Sequence, residues 1–357
     1  MPSPRPALLT TLAALLAVTL TDCRPATDAP DPTTTAAPTA ETAALEPPPP
    51  PAPAPPTLKL IRETRIEALA PPEPGVNRYE ASGVLSRDGN LTIVLDNSPR
   101  FLELGDTLDR VGRWLGDAEG YGMTSGPRDG RLEGFEGIAR PDPEHYLLLA
   151  EALKRDDDWR AWVVAWQPND PAGLETRKLR LEPTFKSGNK GLEGLAFLKL
   201  GDRQLLIGLC EAPGGDKGKK GPGTLHIHQL DDSGARFLGK TTLPASVQFD
   251  DYADLAISGD RMAVVSQESA TVWIGTWTEG PDGLPTPVAP GQLYSLPKGP
   301  DGEEVYCNLE GIDFIDQDTL VLVSDKAKSE QPKVCREKDQ SVHVFGIPAL
   351  TPQPPLP

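Results

Sequence analysis

Carboxylates recur in this chain at two fixed points of a repeated pattern, and crowded carboxylates have few chemical fates. Glu136, Glu193 and Glu310 each stand before a glycine at the start of an apolar run, with Asp254 one place later in a fourth copy. Asp96, Glu151, Glu211, Glu268 and Asp325 each close the apolar run that follows. Brought together, such groups raise one another's pKa unless a cation or hydrogen-bond donors compensate. One outcome is a hard-cation site, because Ca²⁺ takes about six to eight oxygen ligands. The other is joinery, in which each glutamate accepts backbone N–H bonds from a neighbouring unit, since buried polar groups are nearly always paired. Repetition favours joinery for the glutamates. A ligand site is expected where the pattern breaks, at Ser82 and Ala253, and in loops 97–100, 154–158 and 326–333. Arg100 and Lys326 in those loops are the candidates for holding a phosphate or carboxylate group.

Other chemistry has weaker support. His226 and His228 stand two apart, so on a strand they share a face as paired metal ligands do, but no third His or Cys follows them. The chain contains no Gly-x-Ser-x-Gly elbow, no His-Glu-x-x-His, no EF-hand loop and no phosphate-binding Gly-x-x-x-x-Gly-Lys-Ser/Thr. No catalytic residue is assigned.

The elements that carry the acids are short. Leu91–Leu95, Tyr146–Ala150, Leu205–Cys210, Met262–Ser266 and Thr319–Ser324 are runs rich in Val, Ile and Leu, each preceded by a second short run and a turn. Runs of this length bounded by turn residues read as strands. The repeated element returns at positions 82, 136, 193, 253 and 310, at intervals of 54, 57, 60 and 57 residues. A period of this size signals a propeller or another repeat array. Each unit needs four strands, and the last runs out of chain after three. The alternating segment Leu58–Glu67, which precedes the first unit, supplies the missing outer strand and closes the ring. The expected fold is all-β, a single β-propeller of five four-stranded blades, with six blades as the alternative if 106–131 hides more strands. In a blade the start of the first strand and the end of the second emerge on one face, so the acids should ring the channel mouth.

A net charge of -17 argues against nucleic acid as a partner, because duplex binding rests on basic groups that displace counterions. Residues 1–22 read as an export signal, with Arg5 ahead of an apolar stretch from Ala7 to Leu20 that is too short to span a bilayer. Leu20-Thr21-Asp22-Cys23 resembles a lipoprotein processing site, with Cys23 as the acylated residue, although Asp22 stands where a small residue is usual. Simple cleavage and secretion is the alternative. Residues 23–56, rich in Thr, Ala and Pro, read as an extended stalk, 57–350 as the propeller and 351–357 as a Pro-rich tail. The localisation expected is the cell envelope, periplasmic or surface, with membrane contact only through the lipid. Cys307 precedes the first strand of the last unit and Cys335 follows its second, on the same face, so the two are expected to be bonded in an oxidising compartment. Cys210 reads as a buried free thiol.

Ala81–Val84, Glu136–Ala139, Glu193–Ala196 and Leu205–Gly208 give the stretch 78–327 a resemblance to a bacterial exported β-propeller family classed as a domain of unknown function. The chain is also distantly similar to the propeller group named for the esterase-like activity of phytase. The first resemblance implies fold alone. The second implies calcium-assisted ester hydrolysis. The expectation is therefore a module that binds a small molecule or an envelope protein through its acidic mouth. The alternative is a Ca²⁺-dependent phospho- or carboxyl-ester hydrolase in which Arg100 or Lys326 steadies the leaving anion.

Overall fold

The computed structural model describes residues 54–71, 78–115, 135–155, 157–167, 177–186, 191–212 and 220–349. Cys23, the export signal, nearly all of the stalk and the tail lie outside them. The chain enters with strand β1 (Lys59–Arg65) and a single helical turn, α1 (Ile66–Leu69). Blade one follows as β2 (Ala81–Arg87), β3 (Asn90–Leu95), β4 (Ser98–Gly105) and β5 (Arg113–Leu115). Blade two is β6 (Phe135–Asp142), β7 (His145–Arg155), β8 (Asp158–Trp166) and β9 (Arg177–Arg180). Blade three is β10 (Leu192–Leu200), β11 (Arg203–Cys210), β12 (Thr224–Asp231) and β13 (Gly234–Thr242). Blade four is β14 (Asp254–Ser258), β15 (Arg261–Ser266), β16 (Thr271–Glu279) and β17 (Pro285–Ser295). The last blade contains β18 (Leu309–Phe314), β19 (Thr319–Ser324) and β20 (Ser341–Gly346).

Its outer strand is β1. The sheet order β1-β20-β19-β18 is antiparallel throughout, with Glu63 opposite His343 and Arg65 opposite Ser341. The N-terminal segment thus closes the ring as the strand count required. The molecule is a five-bladed β-propeller, and 106–115 adds only the short β5 to blade one. Strands β2, β6, β10, β14 and β18 are innermost, each packed against the next and β18 against β2.

Turn chemistry explains the hairpins. Asp88 and Gly89 join β2 to β3 at φ values of 57° and 77°, the two positive angles that a two-residue hairpin needs to match strand twist. The inner strands are buried nearly from end to end, and the apolar clusters lie between neighbouring blades rather than within one. Ala256 and Ile274 of blade four, for instance, pack with Ile312, Phe314 and Leu322 of blade five.

The repeated Glu-Gly step is a β-bulge. The ladder between first and second strands skips a residue between Ala81 and Gly83, Phe135 and Gly137, Leu192 and Gly194, and Leu309 and Gly311. The extra residue at each skip is Ser82, Glu136, Glu193 or Glu310, and a bulge re-aims the side chain it carries. The glycine beside it has its own reason: a Cβ on Gly137 would stand 2.9 Å from the Leu195 amide nitrogen of the next blade, and one on Gly311 would stand 2.8 Å from Gly83 Cα. Gly137→Ala is therefore expected to destabilise the ring by about 1–3 kcal/mol through overpacking against rigid backbone. Gly105→Ala, where the new methyl meets only Thr107 at 3.7 Å, should be close to neutral. Urea unfolding of the two variants checks the difference.

Candidate functional site: an acidic funnel

The bulges on β6, β10 and β18 place Glu136, Glu193 and Glu310 around one cavity of about 230 Å³. Two blades lack that glutamate, having Ser82 and Ala253 in its place, and each carries an acid two residues earlier, Glu80 and Asp251. Those two also line the cavity, so every blade contributes a first-strand carboxylate. The residues after the second strands add Asp96, Glu211 and Asp325, with Gln267 of blade four at the corresponding place. Among the described residues, eight carboxylates and one ammonium, that of Lys328, line the cavity.

Below this ring the channel is plugged. Val84, Ile138, Leu195, Leu255 and Ile312 stand two residues past the first-strand ring positions of the five blades and line its narrow part, where free space falls to about 20 Å³. That is room for about one water. The funnel is therefore blind.

Burial and mutual repulsion load the acids. Glu310 is pushed up to about 7, chiefly by burial and then by Asp325 and Asp251, although Lys328 and a hydrogen bond from the Gln267 amide oppose the shift. Asp325 is pushed up to about 6 by burial, with Glu80 and Asp96 adding to it and the Lys326 N–H opposing. Asp251 is raised by burial despite hydrogen bonds from the Ser266 hydroxyl and the Glu268 N–H. Glu80 is raised by burial as well, while Arg78 at 3.0 Å works against it. Each of these shifts marks a carboxylate that would gain from a cation nearby.

Lys328 belongs to a braced loop. Its N–H donates to Gln331 Oε1 at 2.7 Å and its ammonium to Gln267 Oε1 at 3.3 Å, while the Gln331 amide reaches the Cys307 carbonyl at 3.3 Å. Cys307 and Cys335 form the expected disulfide, which ties the approach to β18 to the 3₁₀ turn Lys333–Glu337. Cys210 is a free thiol, as its place at a strand end suggested.

Of the residues singled out from sequence, Glu136, Glu193, Glu310, Asp96, Glu211 and Asp325 meet at the funnel. Asp254 does not line it. It stands where the other blades have the bulge glycine, and its carboxylate turns into the seam with blade five, accepting the Leu255 N–H at 2.7 Å and the Ile312 N–H at 2.9 Å. Glu268 lies one residue past the ring position held by Gln267; a one-residue step reverses the side chain, and Glu268 is exposed. The side chain of Glu151 lies outside the described residues. Arg100 stacks its guanidinium over Trp114 at 5.7 Å, and Lys326 is exposed beside the funnel without lining it. His226 and His228 are buried: His226 Nε2 meets Cys210 Sγ at 3.2 Å and His228 Nε2 donates to the Glu182 carbonyl at 2.7 Å. Among the described residues no three His, Cys, Asp or Glu side chains converge closely enough to hold a metal ion.

Interblade joinery is present: Glu310 accepts from the Gln267 side-chain amide of blade four, and two aspartates accept backbone N–H groups across seams. Beside Asp254, Asp313 accepts the Ser86 N–H of blade one at 2.7 Å, an Arg87 guanidinium N–H at 3.0 Å and its neighbour Phe314 N–H at 2.8 Å. Asp313 was detectable: the aligned residues are Leu85, Ala139, Ala196 and Ala256, so one acid stands in an otherwise apolar column. Glu80 and Asp251 were detectable too, two residues before the broken repeats. Gln267 follows its second strand as Asp96, Glu211 and Asp325 follow theirs, whereas Lys328 and Tyr252 join the lining only through the folding of their loops.

No protein-family model matches the chain, so neither family resemblance drawn from the motifs has support of that kind. No curated protein sequence matches it either. Among solved structures, a glutaminyl cyclase of Myxococcus xanthus is 12% identical with a TM-score of 0.46, over 82% of this chain and 97% of that one. A PQQ-bound aldose sugar dehydrogenase of Streptomyces coelicolor is 12% identical with a TM-score of 0.46, over 82% and 99%. A GH43_1 enzyme of Xanthomonas citri is 12% identical with a TM-score of 0.44, over 78% and 91%. All three are enzymes by name; likenesses this distant say nothing about what this chain binds.

Proposed function

We propose that this chain is an exported binding module, anchored through Cys23, whose acidic funnel captures a small organic cation or the amine-bearing end of a larger molecule. The observation that carries the reading is the crowding of Glu310, Asp325, Asp251 and Glu80 around about 230 Å³, where, among the described residues, Lys328 brings the one ammonium. A cation that enters relieves both repulsion and desolvation, and in a partly water-excluded site each charge pair counts for more than in bulk water. The volume lies below the roughly 300–1,000 Å³ that hold drug-sized ligands, which favours a short amine. Acids spread around a ring, as these are with no three of the described ones converging on one point, suit a cation with extent, such as a diamine, better than a bare Ca²⁺.

Calorimetry with putrescine, spermidine and Ca²⁺ tests this. Amine affinity should rise about tenfold, roughly 1.4 kcal/mol, from pH 5 to pH 8, because Glu310 and Asp325 must give up protons held to about 7 and about 6 before they attract a cation. Glu310→Gln should flatten most of that rise, and Glu193→Gln should weaken binding at both pH values. No heat with any amine at millimolar concentration discards the proposal. Turnover of p-nitrophenyl esters or phytate that requires Ca²⁺ would replace it with the hydrolase.

A further inference from the structure

The strand that closes the ring is held unlike any other. None of the seven residues of β1 is buried, whereas five of the six in its partner β20 are. Fully buried apolar anchors stand only at the flanks, Leu58 and Ile66, with Leu60 packed half-buried against the cluster of blades four and five. Beyond these contacts the seam depends on the backbone ladder and on charge. Glu63 accepts from the Lys338 ammonium at 2.6 Å and from His343 Nδ1 at 2.8 Å, and Arg65 pairs with Asp339 at 3.0 Å.

The groups facing Glu63 come from two further elements of blade five. Lys338 lies in the loop before β20, and Tyr306, ahead of β18, places its ring edge-on to His343 at 5.2 Å with the Lys338 ammonium 5.7 Å from its centre. His343 is fully buried, with Nε2 against Ser324 Oγ at 3.0 Å and the Phe345 ring at 6.2 Å. With Glu63 ionised and His343 neutral, the cluster holds one anion and one cation. Acid reverses the account: a protonated Glu63 and a protonated His343 leave two cations, Lys338 and His343, at a seam whose other anion, Asp339, is already paired with Arg65.

We propose that acid unlatches β1 from blade five, and that this seam opens before any other part of the ring. The raised acids of the central ring respond in the opposite sense. Glu63 is held below its ordinary 4.5 by His343 and Lys338, which outweigh the burial acting against them, and burial holds His343 below 6.5. The stability these two contribute is present at neutral pH and lost as pH falls through their folded-state values. Glu310, Asp325 and Asp313 are held above their ordinary values, to about 7, 6 and 6. The folded chain therefore binds more protons there than the unfolded one, so acid strengthens the central ring down to the ordinary carboxylate range. An opened seam uncovers the backbone edge of β20, which then offers itself for strand pairing.

Hydrogen exchange on the full chain, corrected for the pH dependence of the exchange chemistry, tests this between about pH 7 and pH 3.5. Protection over 58–66 and 341–346 should fall at least tenfold more than protection over β15 and β16. Glu63→Gln should reproduce the opening at pH 7. Lys338→Met, which leaves His343 as the one cation against Glu63, should blunt the acid effect in an otherwise folded protein. Equal loss in all blades, or an unchanged acid response in Lys338→Met, overturns the latch.

Discussion

Asp313→Ala is expected to cost about 2–4 kcal/mol, chiefly by stranding buried inner-strand amides. Its carboxylate is 3% exposed at the seam where blade five meets blade one, and three donors converge on it: the N–H groups of Ser86 and Phe314 and the Arg87 guanidinium. Alanine leaves two inner-strand amides without an acceptor and a guanidinium without its anion. Each orphaned amide alone costs about 1–3 kcal/mol. Asn is no remedy, because the amide nitrogen that replaces one oxygen would face a donor. Asp254→Ala should cost less, since that carboxylate accepts two backbone N–H groups and pairs with no guanidinium. Urea unfolding at pH 7 checks the order, and a loss below 1 kcal/mol for Asp313→Ala would show that the seam is held by apolar packing alone.

Removing the disulfide is the second large change. Cys307 and Cys335 are 28 residues apart, and a loop of that length confers about 3–4 kcal/mol by restricting the unfolded chain. The double variant Cys307→Ser, Cys335→Ser should be less stable by that amount and melt at a lower temperature, and a reductant should lower the wild type to the same level. The bond also bears on the funnel, because the loop it spans carries Lys328. If that loop loosens, the ammonium leaves the mouth and the funnel becomes more acidic, so putrescine should bind more tightly to the double variant, by less than about tenfold. Unchanged melting would mean that the hydrogen bonds around Gln331 and Asn308 fix the loop unaided.

The architecture was legible because it is periodic. Five copies of a strand-turn-strand element at nearly equal spacing, and a last copy short by one strand, leave the N-terminal segment as the piece that closes the ring. The pairing of Cys307 with Cys335 followed from placing both on one face. The site was legible in part. First-strand glutamates and second-strand acids share a face in any blade, so their meeting needed topology alone. Glu268 and Asp254 were misplaced for one reason: in blade four the pattern is displaced by a residue, and along a strand one residue separates inside from outside. The bulge was hidden too, since Glu-Gly marks it only once the ladder is known. Joinery by Asp254 and Asp313 depends on which amide of the next blade comes within reach, a fact of tertiary structure.

The apolar plug of Val84, Ile138, Leu195, Leu255 and Ile312 determines how traffic at the funnel must run. There is one door. Whatever occupies the acidic ring has to back out by the way it came before a successor can settle, and no polymer can be threaded through the axis from one face to the other. Such a vessel fills and empties in turn, which suits capture and handover rather than conduction.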